Sequence, residues 1–376
     1  MSKTILLSLI GKEPTGNFRA YKEFGPNVLI HVFSDVSVET SEKILSLVDK
    51  NTQIVKIKIE ADNYSQILES LVNLNLDISP DDHININVTG GTKMMCLASI
   101  DFGKLLEQKC KVSYLYTDIN TQKIHWFYEN KSESFCEEFE LEEYIVLRGQ
   151  KIKSKDNYTD LIEKFEDALQ EIKDILKDQV KLLVWNKFLN SFVSKVRKLS
   201  SNSKNKSTSE IIKLLENENT ESKFRIIWND NLFQIFHLDM LFIELDLKKE
   251  DIDWFVFNGG WFELLTANKL AKKYDSDKMY MNVKFPVLKD VKLDKNEVDI
   301  LINDGGKLIF VECKSGNLYP EAINSIKVRE ETYGGEIGKS LLITRFDMFK
   351  EKNDSAKVII DKCKDLNIQL KTYNSL

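Results

Sequence analysis

Apolar and polar positions change period repeatedly along the first 130 residues. Residues 5–10 form a short apolar run that ends in Gly11-Lys12-Glu13-Pro14-Thr15-Gly16, a loop of turn formers. A second run over 27–33 closes at Ser34-Asp35. Residues 39–49 place Ile44, Leu45, Leu47 and Val48 at helical spacing, and 53–59 alternate as a strand does. Residues 64–76 turn helical again through Ile67, Leu68, Leu71, Val72 and Leu74. Strands are predicted over 83–88, 112–116 and 124–128, with a strongly apolar helix over 94–108. This alternation predicts an α/β domain with a mostly parallel, doubly wound sheet.

The pattern then changes. Residues 150–200 carry Leu161, Phe165, Leu169, Ile172, Ile175 and Leu176 at helical intervals among charges, which predicts amphipathic helices bridging two domains. Residues 200–208, rich in Ser, Asn and Lys, read as a flexible loop. From residue 223 the chain is globular again. The expected organisation is a domain over 1–149, a helical linker over 150–222 and a second α/β domain over 223–376.

Composition narrows the function classes. The 376 residues are 42% hydrophobic and 30% charged, as expected of a chain that stays in solution. With a net charge of −6, any contact with nucleic acid must be local rather than a general coating of phosphates. Five scattered cysteines without a CxxC pair argue for reduced thiols and against zinc fingers. The opening residues are too short an apolar run for a signal peptide, and no stretch is long enough to span a membrane; the expectation is a cytoplasmic protein. His31, His83, His125 and His237 lack metal-ligand spacing and read as structural. Tyr114, Tyr116, Trp126, Phe127 and Tyr128 read as strand packing, with base stacking as the other use. A winged-helix DNA reader around 208–250 would need a basic recognition helix, yet 229–247 contain no Lys or Arg.

The sharpest chemistry lies at 296–316. Residues 296–302 alternate and then turn apolar, Asn303-Asp304-Gly305-Gly306-Lys307 is a turn, and 308–316 form a second strand. A two-residue Gly305-Gly306 hairpin loop places Asp299 opposite Glu312, on one face of the sheet. Lys314 then points to that face and Cys313 to the other, into apolar packing. Two carboxylates so placed can share a divalent cation, which polarises a phosphoryl oxygen and acidifies a bound water. Lys314 can orient that water or stabilise developing negative charge. Glu263 opens a helix after Asn258-Gly259-Gly260, on a stripe otherwise made of Ala267, Leu270, Ala271 and Tyr274, and is expected to point at a metal or a lysine.

The first domain carries a second signal. Residues 85–95, Asn-Ile-Asn-Val-Thr-Gly-Gly-Thr-Lys-Met-Met, read as strand, glycine turn and helix. Gly90 and Gly91 let the backbone approach a ligand, the helix N-terminus offers N–H groups to an anion, and Thr89, Thr92 and Lys93 add donors and one charge. This is neither a P-loop nor a Rossmann fingerprint. Ile10, Gly11, Lys12 and Thr15 of the first loop, with Ser34 and Asp35, sit at other predicted strand ends and suggest a shared crevice.

Residues 87–95 resemble the signature of CARF domains, the sensors of CRISPR-associated ancillary proteins, and the likeness spans residues 1–130. Glu263, Asp299 and Glu312-Cys313-Lys314 resemble the PD-(D/E)xK restriction-endonuclease-like superfamily over 250–376, with Val298 where the proline of that name would stand. The resemblance implies a Rossmann-like CARF sensor joined by helices to a restriction-endonuclease-like nuclease domain. It implies Asp299, Glu312 and the Cys313 carbonyl as ligands of Mg²⁺ or Mn²⁺, Glu263 as accessory acid and Lys314 as catalytic lysine. It further implies activation by a cyclic oligoadenylate, commonly cyclic tetra-adenylate, and cleavage of DNA, RNA or both in antiviral defence. A four-phosphate ring with two-fold symmetry needs two Lys93 and two helix ends, hence a homodimer. The alternatives are a ligand-responsive regulator with an inactive nuclease fold and a ligand-independent restriction-type DNase.

Overall fold

The computed structural model describes residues 2–196, 224–229, 231–286, 297–316, 318–350 and 354–376. The stretch expected as a flexible loop, 200–208, lies outside these residues. Seven strands build the first sheet: β1 (Thr4–Leu9), β2 (Val28–Phe33), β3 (Gln53–Lys58), β4 (His83–Asn87), β5 (Lys111–Asp118), β6 (Lys123–Trp126) and β7 (Lys131–Ser134). Their order is β3-β2-β1-β4-β5-β6-β7. The first five are parallel, and β5, β6 and β7 run antiparallel. β1 and β2 are almost entirely buried, because α1 (Thr15–Phe24), α2 (Val38–Leu45), α3 (Tyr64–Val72) and α4 (Lys93–Leu106) cover the sheet; their apolar runs are those of a sheet packed on both faces. Strand order reverses between β1 and β4, so the loops after these two strands flank a switch-point crevice. α1 begins inside the segment expected as loop, and it buries Phe18, Arg19, Ala20 and Tyr21.

The second sheet runs β16-β15-β14-β13-β12-β8. It comprises β8 (Ser154–Asn157), β12 (Met279–Lys284), β13 (Glu297–Asn303), β14 (Leu308–Lys314), β15 (Lys339–Thr344) and β16 (Gln369–Thr372). A separate antiparallel sheet holds β9 (Phe224–Trp228), β10 (Leu232–His237) and β11 (Met240–Asp246), so the aromatic stretch near 230 packs as strands rather than as a DNA-reading helix. The expected linker is, where described, part of this second body. β8 adds an edge strand, and α5 (Leu141–Leu147) precedes it. α6 (Tyr158–Lys164), α7 (Glu166–Lys177) and α8 (Gln179–Lys187) bury Phe165, Leu169, Ile172 and Trp185 in one core with Phe255, Trp261, Ile300 and Val311. Their apolar stripe is satisfied within this domain instead of bridging two.

The two bodies meet through an apolar core of their own. Ile10, Phe18, Leu29 and Ile44 of the first domain and Phe139, Tyr144 and Leu147 of the α5 segment pack with Val283, Leu301, Phe310 and Tyr333 of the second. Polar ties cross the same junction. The fully buried Arg19 guanidinium lies over the Phe139 ring at 3.9 Å and donates to the Glu137 and Gly305 carbonyls, the latter at 2.7 Å. Among the described residues, no helix is long and apolar enough to cross a membrane.

Candidate active site and ligand crevice

β13 and β14 pair through Ile300↔Val311, Leu301↔Phe310, Ile302↔Ile309 and Asn303↔Leu308, the register expected from a turn centred on Gly305-Gly306. The strands stop one pair earlier than a two-residue loop requires. Asp304 and Lys307 belong to the turn, closed by the Asp304 N–H donating to the Lys307 carbonyl at 3.0 Å, and Gly305 takes φ +64°. At the open end the ladder also stops, just short of Asp299 and Glu312. The Asp299 carboxylate itself accepts the Cys313 N–H at 2.7 Å in place of a backbone partner.

This open end faces a cavity of about 530 Å³ lined by Glu263, Asp299, Glu312, Lys314 and Arg329, among others. Glu263 reaches it from the first turn of α9 (Gly260–Leu270), a helix that starts after Gly259 at φ +97° and ends at Leu270, before the Tyr274 of the expected stripe. The four residues singled out in the sequence thus line one space. Glu312 is buried and fully engaged: one oxygen accepts from Lys314 Nζ at 2.5 Å, the other from Arg329 Nη2 at 2.7 Å. Burial and the Glu312 charge lift the Asp299 carboxyl to about 7. Burial, with Asp299 next to it, raises Glu263 well above the carboxylate range. For Lys314, burial opposes the charge, but Glu312 and Asp299 outweigh it and hold the ammonium above its ordinary value. The Cys313 side chain packs into the core, and burial raises its thiol.

Among the described residues, no three His, Cys, Asp or Glu groups stand together as a ready metal site. As placed, Glu312 is spent on two cations and Asp299 on an amide. The donor set is nonetheless one that suits a hard divalent cation: oxygen ligands only, and two carboxyl groups whose mutual repulsion a cation relieves. Arg329 and Lys284, which also line the cavity, were missed by sequence reasoning. Arg329 lies 17 positions beyond Glu312 on a helix, and no motif joins the two.

The amino-terminal signals converge at the switch point. The β1 and β4 loops touch: a methyl on Gly90 would run into the Leu9 carbonyl, the Gly11 amide and the Asn17 side chain, and one on Gly11 would lie 3.2 Å from the Gly91 amide. Gly91 has φ +79°, which favours glycine. Thr92 caps α4 by accepting the Met95 N–H, and Lys93 is exposed on its first turn. Lys12 is exposed on the facing loop. Of the other expected ligand contacts, Ile10 and Thr15 are turned inward. Ile10 is buried and bonded to the Val32 carbonyl. Thr15 is buried against Glu13 and Arg148. The Thr89 hydroxyl is tied to Asn87 and to the Thr117 N–H. Ser34 is half-buried, its N–H donating to the Ser37 hydroxyl at 3.0 Å, and the exposed Asp35 pairs with Lys58 at 2.5 Å. Sequence reasoning missed Glu13 and Arg148, whose two-pronged pair at 2.7 and 2.9 Å joins the β1 loop to the residue after α5. Burial works against the Glu13 charge, but Arg148 outweighs it and holds the carboxyl below its usual range. His31 is buried beside Ser41, and burial drops it to about 3, in keeping with a structural role. Tyr114 is packed as expected, whereas Tyr116, Phe127 and Tyr128 are exposed, and Tyr116 stacks on His125 and Phe127.

The chain thus joins a mostly parallel sheet with a glycine-lined crevice to a second, mixed sheet whose hairpin carries Asp299 and Glu312-x-Lys314. Residues 28–144 match the model of the Card1 CARF domain, so the amino-terminal domain is a CARF domain. No curated protein sequence matches the chain. The fold as a whole is shared with Can2 from Sulfobacillus thermosulfidooxidans, solved in complex with cyclic tetra-adenylate: 16% identity, TM-score 0.63, covering 98% of this chain and 95% of that one. It is shared equally with protein VC1899 from Vibrio cholerae: 15% identity, TM-score 0.68, covering 99% and 94%.

Proposed function

We propose that the chain is a metal-dependent nuclease of type III CRISPR defence, switched on by a cyclic oligoadenylate. The observation that carries this reading is the convergence of Glu263, Asp299, Glu312 and Lys314 on one cavity behind a CARF domain. The ligand that Can2 binds makes cyclic tetra-adenylate the first activator to try. Asp299, Glu312, Glu263 and the Cys313 carbonyl would hold Mg²⁺ or Mn²⁺, which when bound supplies a polarised phosphoryl oxygen and an acidified water. Lys314 Nζ is positioned to orient the attacking water or to neutralise charge growing on the phosphate. Burial and the neighbouring Asp299 raise Glu263 in the absence of the cation, so Glu263 would release its proton on joining the ligand set and metal uptake would strengthen with rising pH.

In the crevice, Lys12, Lys93, the glycine backbone and the α4 N-terminus would meet the ligand phosphates. Met94 and Leu97 are exposed on α4 beside this loop, which supports a second copy of the chain docking there to complete a ring-shaped site.

The test is cleavage of plasmid, single-stranded DNA and RNA by the full chain with Mn²⁺, with and without cyclic tetra-adenylate. Ligand-dependent cutting is expected. Cutting indifferent to ligand would favour a restriction-type enzyme, and ligand binding without any cutting would favour a regulator with an inactive nuclease fold.

A further inference from the structure

Resting on that nuclease reading, we infer that Arg329 is a positioning residue of the catalytic cavity, bridging the two acidic strands where their backbone ladder has ended. β13 begins at Glu297, but its described pairing with β14 begins only at Ile300↔Val311. Glu297 and Val298 are held on the other side by β12, through Lys284↔Glu297 and Val283↔Val298. Toward β14 two side chains replace the missing ladder. Asp299 takes the Cys313 N–H, and Arg329 spans the gap from outside: Nη1 donates to the Glu297 carbonyl at 2.5 Å and Nη2 to the Glu312 carboxylate at 2.7 Å. A planar guanidinium holds two acceptors at fixed separation, which a lysine cannot imitate.

The bridge has a firm abutment. Arg329 is the last residue of α10 (Pro320–Arg329), whose Ile323 and Ile326 are buried in a small core with Leu342, Ile359 and Cys363. One turn on, Tyr333 stacks on Phe285 with ring centroids 3.7 Å apart, inside the core between the two domains. Both partners of the Arg329–Glu312 pair are nearly buried, with side chains 12% and 11% exposed, so solvent screens it little. An ordinary surface ion pair would carry none of this. Arg329 fixes which way Glu312 faces and how far it stands from Asp299, the two quantities on which a shared cation depends.

The experiment uses the full chain as wild type, Arg329→Ala and Arg329→Lys. Mn²⁺ binding is measured by calorimetry without nucleic acid, alongside cyclic tetra-adenylate affinity, melting temperature and the Mn²⁺ dependence of cutting. Arg329→Ala is expected to weaken Mn²⁺ binding about tenfold to a hundredfold. The Mn²⁺ needed for half-maximal cutting should rise by the same factor, with ligand affinity unchanged. Arg329→Lys, which keeps the charge without the fork, should fall between the two. Mn²⁺ binding equal to wild type in both variants overturns the inference alone. Loss of ligand affinity and melting temperature, with the Mn²⁺ requirement of Arg329→Lys unmoved, also overturns it, because the role is then structural only. A wild-type protein that takes up no Mn²⁺ and cuts nothing overturns the nuclease reading with it.

Discussion

Asp299 shows how burial and charge pull a single residue in two directions. Its carboxyl is lifted to about 7 by burial and by Glu312, so folding is favoured by the protonated form. That contribution is complete below the ordinary aspartate value near 4, and it is lost as pH rises through about 7. Asp299→Asn is therefore expected to raise the melting temperature of the metal-free protein at pH 8 relative to pH 4, flattening the pH profile of the wild type. The same substitution is expected to abolish cutting, as is Lys314→Ala, each by two orders of magnitude or about that, while cyclic tetra-adenylate affinity stays at the wild-type value. A gain in stability with a loss of activity is what a site tuned for function should show. Cleavage that survives both changes, measured on a labelled oligonucleotide, would remove these residues from the mechanism.

At the scale of elements, two loops do the work. The Gly305-Gly306 turn sets the register of β13 against β14, and it is itself gripped from the first domain: Arg19 on α1 and the Tyr144 hydroxyl both donate to the Gly305 carbonyl. The β4–α4 loop depends on close backbone approach. Because a methyl on Gly90 would collide with the Leu9 carbonyl and the Gly11 amide, Gly90→Ala must push the two sensor loops apart. Overpacking of this kind costs about 1–3 kcal/mol, so the domain should still fold. Its expected effect is a loss of ligand binding of at least about tenfold, read by calorimetry, with basal metal binding in the second domain untouched.

For the whole molecule, the contacts between domains suggest how the proposed switch is transmitted. The Glu13–Arg148 pair starts in the β1 loop, one residue from Lys12, and Arg148 lies against Gly335, just past the turn that follows Arg329. A methyl on Gly335 would run into the Arg148 guanidinium. Were the β1 loop to move on ligand binding, these contacts would carry the movement to the segment that holds Arg329. Arg148→Ala is expected to leave cyclic tetra-adenylate affinity within a few-fold of wild type. It should reduce the activation by ligand by roughly 5–150-fold, the range of ordinary coupling energies. Full activation of that variant in a cleavage time course would place the coupling elsewhere.

The apolar pattern was enough to predict β1 to β6 and the helices α2, α3 and α4, with β1 and β2 reading as the near-continuous apolar runs of strands buried on both faces, whereas β7, Lys-Ser-Glu-Ser and exposed throughout, carried no apolar signal. The hairpin register, and with it Asp299, Glu312 and Lys314 on one cavity, was also legible, since a glycine pair centres a turn and period two does the rest. α1 was not legible: it starts in a stretch of turn formers, and its burial of Arg19 depends on Phe139 and Gly305, which lie more than a hundred residues away. The same holds for the helices over 158–187, whose amphipathic stripe specified that they pack but not against what. Arg329, Glu13 and Arg148 gave no signal at all, because an arginine becomes part of a site only when another element brings an acceptor to it. Local pattern determines element and register through steric and solvation rules that act over a few residues. Which distant charge meets which acceptor is decided only when the two domains close on a common core.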